Sequence, residues 1–198
     1  MLLRLGQRIS AGRASVELHT TTIAGVFVAK TEAFQDSRGA FSRLFCEREL
    51  AEAVGERHIE QINHSRTTAV GAVRGLHFQR PPNAEMKMVR CLKGRVWDVA
   101  VDLRKGSPTF LHWYAQELSA ANALMLVIPE GCAHGFQVLE PDSELLYLHT
   151  ASYKSSAEGG LRFDDPIISI SWPLPVADLS ERDKEHPLMH KNFQGITV

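Results

Sequence analysis

The chain has 198 residues, 44% of them hydrophobic and 23% charged, with a formal net charge of −1. That is length enough for one domain with a sizeable core, and the balance excludes the basic excess that brings a protein to nucleic acid or to an acidic membrane surface. Cys46, Cys91 and Cys132 are scattered and form no CxxC, which argues against a disulfide framework or a thiolate zinc site and points to a reducing cytoplasm.

In chain order, residues 1–15 are too polar for a signal-peptide core and are expected to be a flexible extension, leaving 16–198 as a single domain. "GVFVAKTEAF" is the first predicted strand, rich in β-branched and aromatic residues. A short helix is predicted over residues 47–55, "ERELAEAVG", with apolar Leu50, Ala51, Ala53 and Val54 and with Gly55 as its C-cap. The strands "HIEQINHS", "AVRGLHFQ", "KMVRCL", "RVWDVAVDLR", "ALMLVIP", "HGFQVL" and "ELLYLHTASY" follow, broken by Gly, Pro, Asn and Asp. In "RVWDVAVDLR", Trp97, Val99, Val101 and Leu103 share one face, and Asp98, Ala100 and Asp102 the other. A second helix is predicted from "LSERDKE", stopped by Pro187. Many short strands with few helices predict an all-β sandwich, barrel or jelly roll. No apolar run approaches the roughly 18 residues of a membrane span.

The chemistry centres on "VRGLHFQRPPNAEMKMVRC", residues 73–91. His77 could be a metal ligand, because "PEGCAHGF" adds His134 in the P-x-G-x-x-H turn that precedes a strand in cupin barrels. Metal-binding cupins also carry H-x-H and a downstream Glu. Here Gln79 replaces the second histidine, an amide is a poor ligand for a transition metal, and Glu85 is a doubtful third. Without metal, an inward histidine suits general-base work, because its ordinary pKa is near working pH. The plainer reading is a buried, hydrogen-bonded structural histidine. Arg74 and Lys87 weigh against it, since several cationic groups beside one strand are costly to bury without an anionic ligand or acid partners.

Other residues keep two readings at this point. Lys87 either snorkels to the surface or steadies an enolate oxygen. Tyr147 is either core or a proton donor. Asp98 is either functional or, like Asp102, simply solvated. Asp183, three residues after Ser180, fits a capping pattern at the second helix.

The ordered set "FQDSRGAF", "QINHS", "VRGLHFQ", "EMKMVRCLKGRVWDVAVDLRKGSPTF", "IPEGCAHGF", "ELLYLHTASY" and "FDDPIISISWP" resembles the dTDP-4-dehydrorhamnose 3,5-epimerase family, from about residue 20 to about residue 190. The resemblance implies a cupin-like jelly-roll β-sandwich with no cofactor and no metal. It also implies a homodimer that exchanges strands. The implied reaction is proton removal and return beside the C4 ketone of a nucleotide-linked 4-keto-6-deoxy sugar, with inversion of C3 and C5.

By position, His77 matches the family's base, Asp183 the carboxylate that orients it, Tyr147 the acid on the opposite face, and Lys87 the lysine beside the enolate. Gln61, Asn63, Arg74, His134, Glu158 and Arg182 match positions that hold sugar and diphosphate. Arg38 resembles the arginine that reaches the nucleotide, and Tyr153 an aromatic that stacks on its base. Two departures stand out: Ala40 replaces an aromatic, and Arg43 replaces a Glu, which reverses charge where the ligand is read. Alternatives on the same scaffold are a mono-epimerase, a ketoisomerase or a non-catalytic sugar-nucleotide binder.

Overall fold

The computed structural model describes residues 15–198; the extension expected over the first residues lies, apart from Ser15, outside that range. Twelve strands form two antiparallel sheets that face each other. The larger sheet has the order β1 (Ser15–Thr20), β2 (Phe27–Asp36), β9 (Leu124–Ile128), β6 (Lys87–Lys93), β11 (Ser143–His149) and β4 (Gln61–Thr67), with β3 (Gly39–Ser42) paired to β2. The smaller has the order β12 (Glu158–Gly160), β5 (Val73–Gln79), β10 (Cys132–Val138), β7 (Arg95–Asp102) and β8 (Trp113–Ser119). Strands adjacent in a sheet are mostly distant in sequence, as a jelly roll requires.

Period-2 alternation sorts the side chains into three apolar layers. Val28, Val89, Leu126 and Leu145 of the large sheet meet Val96, Ala100, Leu118, Phe136 and Val138 of the small sheet between them. The outer face of the large sheet, including Ala29, Met88, Met125 and Leu148, is covered by Leu50, Ala53 and Val54. Leu76, Phe78, Val99 and Val101 on the outer face of the small sheet pack beneath Leu161, Ile168, Trp172, Phe193 and Ile196 of the C-terminal segment. Trp97, Val99, Val101 and Leu103 do share a face, and that face is buried. Asp98 and Asp102 are buried too, so the reading of Asp102 as solvated is corrected. Its carboxylate accepts hydrogen bonds from Arg104, Ser107 and Thr109, which satisfy it without water.

The two helices are shorter than their sequence patterns. α1 spans Ala51–Val54, and residues 47–50 form turns, since Leu50 offers no side-chain cap. Gly55 does end it, with positive φ and its N–H on Ala51 O. α2 spans Glu181–Glu185 and begins where expected, with Ser180 accepting from the Asp183 N–H. Strands β1, β3, β8 and β12 had no clear signal. β8, "WYAQELS", sits at a sheet edge, where Gln116 and Glu117 are tolerated and blur the alternation. Among the described residues no helix is long and apolar enough to cross a membrane.

Gly75 is where β5, β10 and α2 come closest. Its φ is +121°, and a Cβ there would stand 2.6 Å from Gly135 Cα and 2.7 Å from His134 O. Gly75→Ala is therefore expected to cost about 2 kcal/mol or more, lowering Tm by about 5 °C or more. A thermal melt within 1 °C of wild type (roughly the scatter left by a neutral substitution) would show that the strands can part there at no cost.

Candidate active site

The inner faces of both sheets turn polar at one end of the sandwich. Residues two apart along a strand share a face, so β4 presents Asn63 and Ser65, β6 Lys87, β11 Tyr147 and His149, and β10 His134. With His77 and Arg74 of β5 and Arg182 of α2 they line a hollow of about 290 Å³. Two further hollows open from His77: one toward Thr67, Asp178 and Ser180, the other toward Gln61, Gln79, Glu85, Tyr153 and Glu158.

His77 is held from α2. Its Nε2 lies 2.7 Å from Asp183 Oδ1, and the Gly75 N–H donates to Asp183 Oδ2 at 3.1 Å. Burial raises the pKa of the Asp183 carboxyl, but these hydrogen bonds, with the charge of Arg182, outweigh it and hold the group at about 2. An ionised carboxylate only accepts, so Nε2 carries the proton and Nδ1 keeps its lone pair. No protein hydrogen bond to Nδ1 occurs among the described residues. Arg182 Nη2 lies 3.2 Å from the same Nε2. Two donors do not bond, so that contact is proximity only. Arg182 is instead paired with Glu158 at 3.2 Å. The capping reading and the buttressing reading of Asp183 both hold, because the cap uses its backbone N–H and the buttress its carboxylate.

Lys87 is buried, and its ammonium reaches Glu85 at 3.1 Å and the His77 carbonyl at 3.4 Å. It faces the cavity; the snorkelling reading fails. Tyr147 has its hydroxyl 3.0 Å from Ser65 Oγ. Burial pushes its phenol well above its ordinary pKa, so it remains an O–H donor. His134 Nε2 meets the buried Asp98 at 2.8 Å, and burial pushes that carboxyl up despite the imidazole. Arg74 contacts Thr67 Oγ1 and has no carboxylate partner among the described residues, which leaves its charge for an anion.

Around the neighbouring hollow, Gln61 bonds Asn63, and Tyr153 bonds Glu158 through its hydroxyl at 3.0 Å. Tyr153 is largely exposed, as a stacking platform has to be. Gln79 spends its amide on the loop: it donates to Asn83 O and Ser152 O and accepts from the Lys154 N–H. The sole cluster of three potential metal ligands among the described residues is His77, Asp183 and His186, not the His77, His134 and Glu85 set suggested by the cupin pattern.

Arg38 stands apart. It is on the β2–β3 hairpin, ion-paired to Asp36 at 2.6 Å, and lines a separate hollow with Phe34, Ala40 and Phe41. Arg43 pairs with Glu49 at 2.6 Å, so the reversed charge is neutralised within the chain.

Glu85 and Asp98, weighed above as a doubtful metal ligand and as either functional or solvated, also belong to the site, as do Ser65, His149 and His186, which were not singled out by sequence. His149 Nδ1 bonds Glu85 at 2.9 Å and its Nε2 lies 3.2 Å from Asn63. Burial raises the Glu85 carboxyl, but His149 and Lys87 together hold it below its ordinary value. A signal existed for three of them: Glu85, Ser65 and His149 each lie two residues from a named site residue, on the same strand or its extension. His186 had no such signal, because α2 and the turn after it pack onto β5 from far along the chain.

Comparison with known proteins follows the geometry. The family model described as dTDP-4-dehydrorhamnose 3,5-epimerase matches residues 20–191. The chain is 43% identical to the dTDP-4-dehydrorhamnose 3,5-epimerase of Sinorhizobium fredii, over 89% of this chain and 93% of that one. Its fold is similar to the enzyme of that name from Elizabethkingia anophelis, with a TM-score of 0.85 and 38% identity, covering 90% of this chain and 98% of the other. It is likewise similar to the dTDP-6-deoxy-D-glucose-3,5-epimerase of Legionella pneumophila in complex with dTDP-4-keto-L-rhamnose, at a TM-score of 0.81 and 36% identity over 85% and 90% of the two chains.

The depressed Asp183 carboxyl yields a signed prediction. Its stabilisation is complete above the ordinary carboxylate pKa near 4 and is lost as pH falls through about 2. Urea unfolding should show wild type ahead of Asp183→Asn by about 2 kcal/mol at pH 6, with the gap closing only between pH 4 and pH 2. A gap that stays constant across that window would mean that the carboxylate is not coupled to folding.

Proposed function

Because the chain belongs to the dTDP-4-dehydrorhamnose 3,5-epimerase family, we propose that this cavity epimerises C3 and C5 of a dTDP-linked 4-keto-6-deoxyhexose, in deoxysugar (rhamnose-type) biosynthesis. The observation that carries the reading is the His77–Asp183 pair facing a cavity that also holds a buried ammonium and a buried phenol. A C4 ketone acidifies the hydrogens on C3 and C5. His77, with Nε2–H tied to Asp183, takes one of them on Nδ1. The electron pair moves into an enolate whose oxygen is met by Lys87. Tyr147 delivers a proton to the other face, which inverts the centre, and the cycle repeats at the second carbon. No metal or cofactor takes part. Arg74 and Arg182 meet the diphosphate, with Gln61, Asn63, His134 and Glu158 holding the sugar end and Tyr153 stacking on the base.

The reading extends to a homodimer with strand exchange, working in the cytoplasm. Its support is the position of Arg38: the hairpin that carries it lies away from His77 in its own chain, and Phe34 and Phe41 there are exposed. A partner copy lending that hairpin brings Arg38 to the nucleotide. Arg38→Ala is then expected to raise KM about tenfold, with kcat nearly unchanged, because the contact is uniform binding; a loss confined to kcat would contradict this role.

The test of the reaction is NMR of the dTDP-4-keto sugar in D₂O. Wild type should wash deuterium into C3 and C5 and invert both, whereas His77→Ala should lose both by about 10³-fold or more. Tyr147→Phe should still exchange but invert far more slowly, since its base is intact and its opposite-face donor is gone. Chelators should abolish neither exchange nor inversion. Exchange at one carbon only would make the protein a mono-epimerase, and binding of the nucleotide sugar without exchange would make it a binder.

A further inference from the structure

His186 is the residue of the site that the proposed chemistry leaves idle. It follows α2, and its ring packs on Gly160 of β12, where a Cβ would overlap it. It meets the His77 ring edge to face, with centroids 5.4 Å apart. Its Nε2 is buried and has no hydrogen-bond partner among the described residues, yet stands 3.7 Å from Asp183 Oδ1. Burial, then the nearby His77, lowers the pKa of this imidazole, which favours the neutral ring, and a neutral ring can offer a nitrogen lone pair to a metal. A buried polar atom without a partner is costly and calls for a ligand.

We propose that His77, Asp183 and His186 bind one Zn²⁺ and that occupancy switches the proton-transfer site off. Two imidazoles and one carboxylate are one of the three-ligand donor sets that zinc uses, with water as the fourth ligand. The three ligand atoms already lie within 4.8 Å of one another. Tetrahedral zinc with bonds near 2.0–2.1 Å needs donors about 3.3 Å apart. The His77–Asp183 separation of 2.7 Å therefore has to open and the His186–Asp183 separation of 3.7 Å has to close, each by a fraction of an ångström, and the two imidazoles, whose nitrogens lie within 4.8 Å, have to reach the same spacing. The Gly75 N–H on the free oxygen of Asp183 supplies the outer support that metal-ligating carboxylates usually have. Arg182 opposes the cation, with Nη2 3.2 Å from His77 Nε2 and Nε 3.7 Å from Asp183 Oδ1, so its more than half exposed side chain has to swing away toward Glu158, with which it is already paired.

The proton balance explains the effect. Zinc takes the lone pair of His77 Nε2, so the proton on that nitrogen moves through solvent to Nδ1. Nδ1 is the atom that accepts the sugar's proton, and once protonated it cannot. The binding claim stands by itself, whereas the inhibition rests on the epimerase reading.

Calorimetry on the full chain after chelator treatment, with ZnCl₂ as titrant and MgCl₂ as control, separates the two. Wild type should take up one Zn²⁺ per chain and no Mg²⁺. His186→Phe, which keeps a ring in the space, and His186→Gln should each bind zinc at least about tenfold more weakly. Zinc should also stop deuterium exchange by wild type, reversibly with chelator, and the two variants should need at least about tenfold more zinc for the same inhibition. Undiminished zinc affinity in a folded variant, or no zinc uptake by wild type, overturns the proposal. If the zinc-free protein exchanges nothing, the epimerase reading falls and the calorimetry still decides the site.

Discussion

One partly buried hydrogen bond organises this site, that between the carboxylate of Asp183 and the imidazole of His77. It joins two segments more than a hundred residues apart, β5 and the turn of helix at α2. Asp183 is capped through its backbone by Ser180 and accepts from Gly75 through its second oxygen, so the carboxylate is fixed from three directions. Ionised and turned away from water, it can do little else than hold a proton donor. That sets the tautomer of His77, and the tautomer decides which nitrogen is free for chemistry.

The cavity owes its shape to a division within the sandwich. Toward one end, Val96, Leu118, Val138 and Leu145 close the space between the sheets with hydrocarbon. Toward the other, the same strands turn polar side chains inward, and these pair with one another. His134 rests on Asp98, and Glu85 joins Lys87 to His149. Such pairs contribute little net stability, since desolvation offsets their attraction. Their value lies in holding several hydrogen-bonding groups rigidly around one space, as an electrostatically organised site needs.

Much of this was legible in the chain before any coordinates. Alternation gave the faces of β7, and the resemblance of the motifs named Lys87 and Tyr147, which the structure places on the cavity wall. What alternation cannot carry is the depth of burial: Asp102 read as solvated because its three partners, Arg104, Ser107 and Thr109, come from the turn after β7. Edge strands such as β8 were silent because an edge tolerates the polar residues that erase the pattern. Arg43 looked like a reversed charge at a ligand-facing position, but Glu49, six residues on, absorbs it. His186 was invisible for a different reason, because only the packing of α2 on β5 brings it beside His77.

The central claim is that Asp183 keeps the proton of His77 on Nε2 and leaves Nδ1 bare for the sugar's hydrogen. Histidine-selective ¹⁵N NMR of the zinc-free wild-type protein, at a pH where the ring is neutral, reads this directly. The account predicts a protonated Nε2 and an unprotonated Nδ1 for His77, with that preference lost in Asp183→Asn. A proton on Nδ1 in wild type would contradict it.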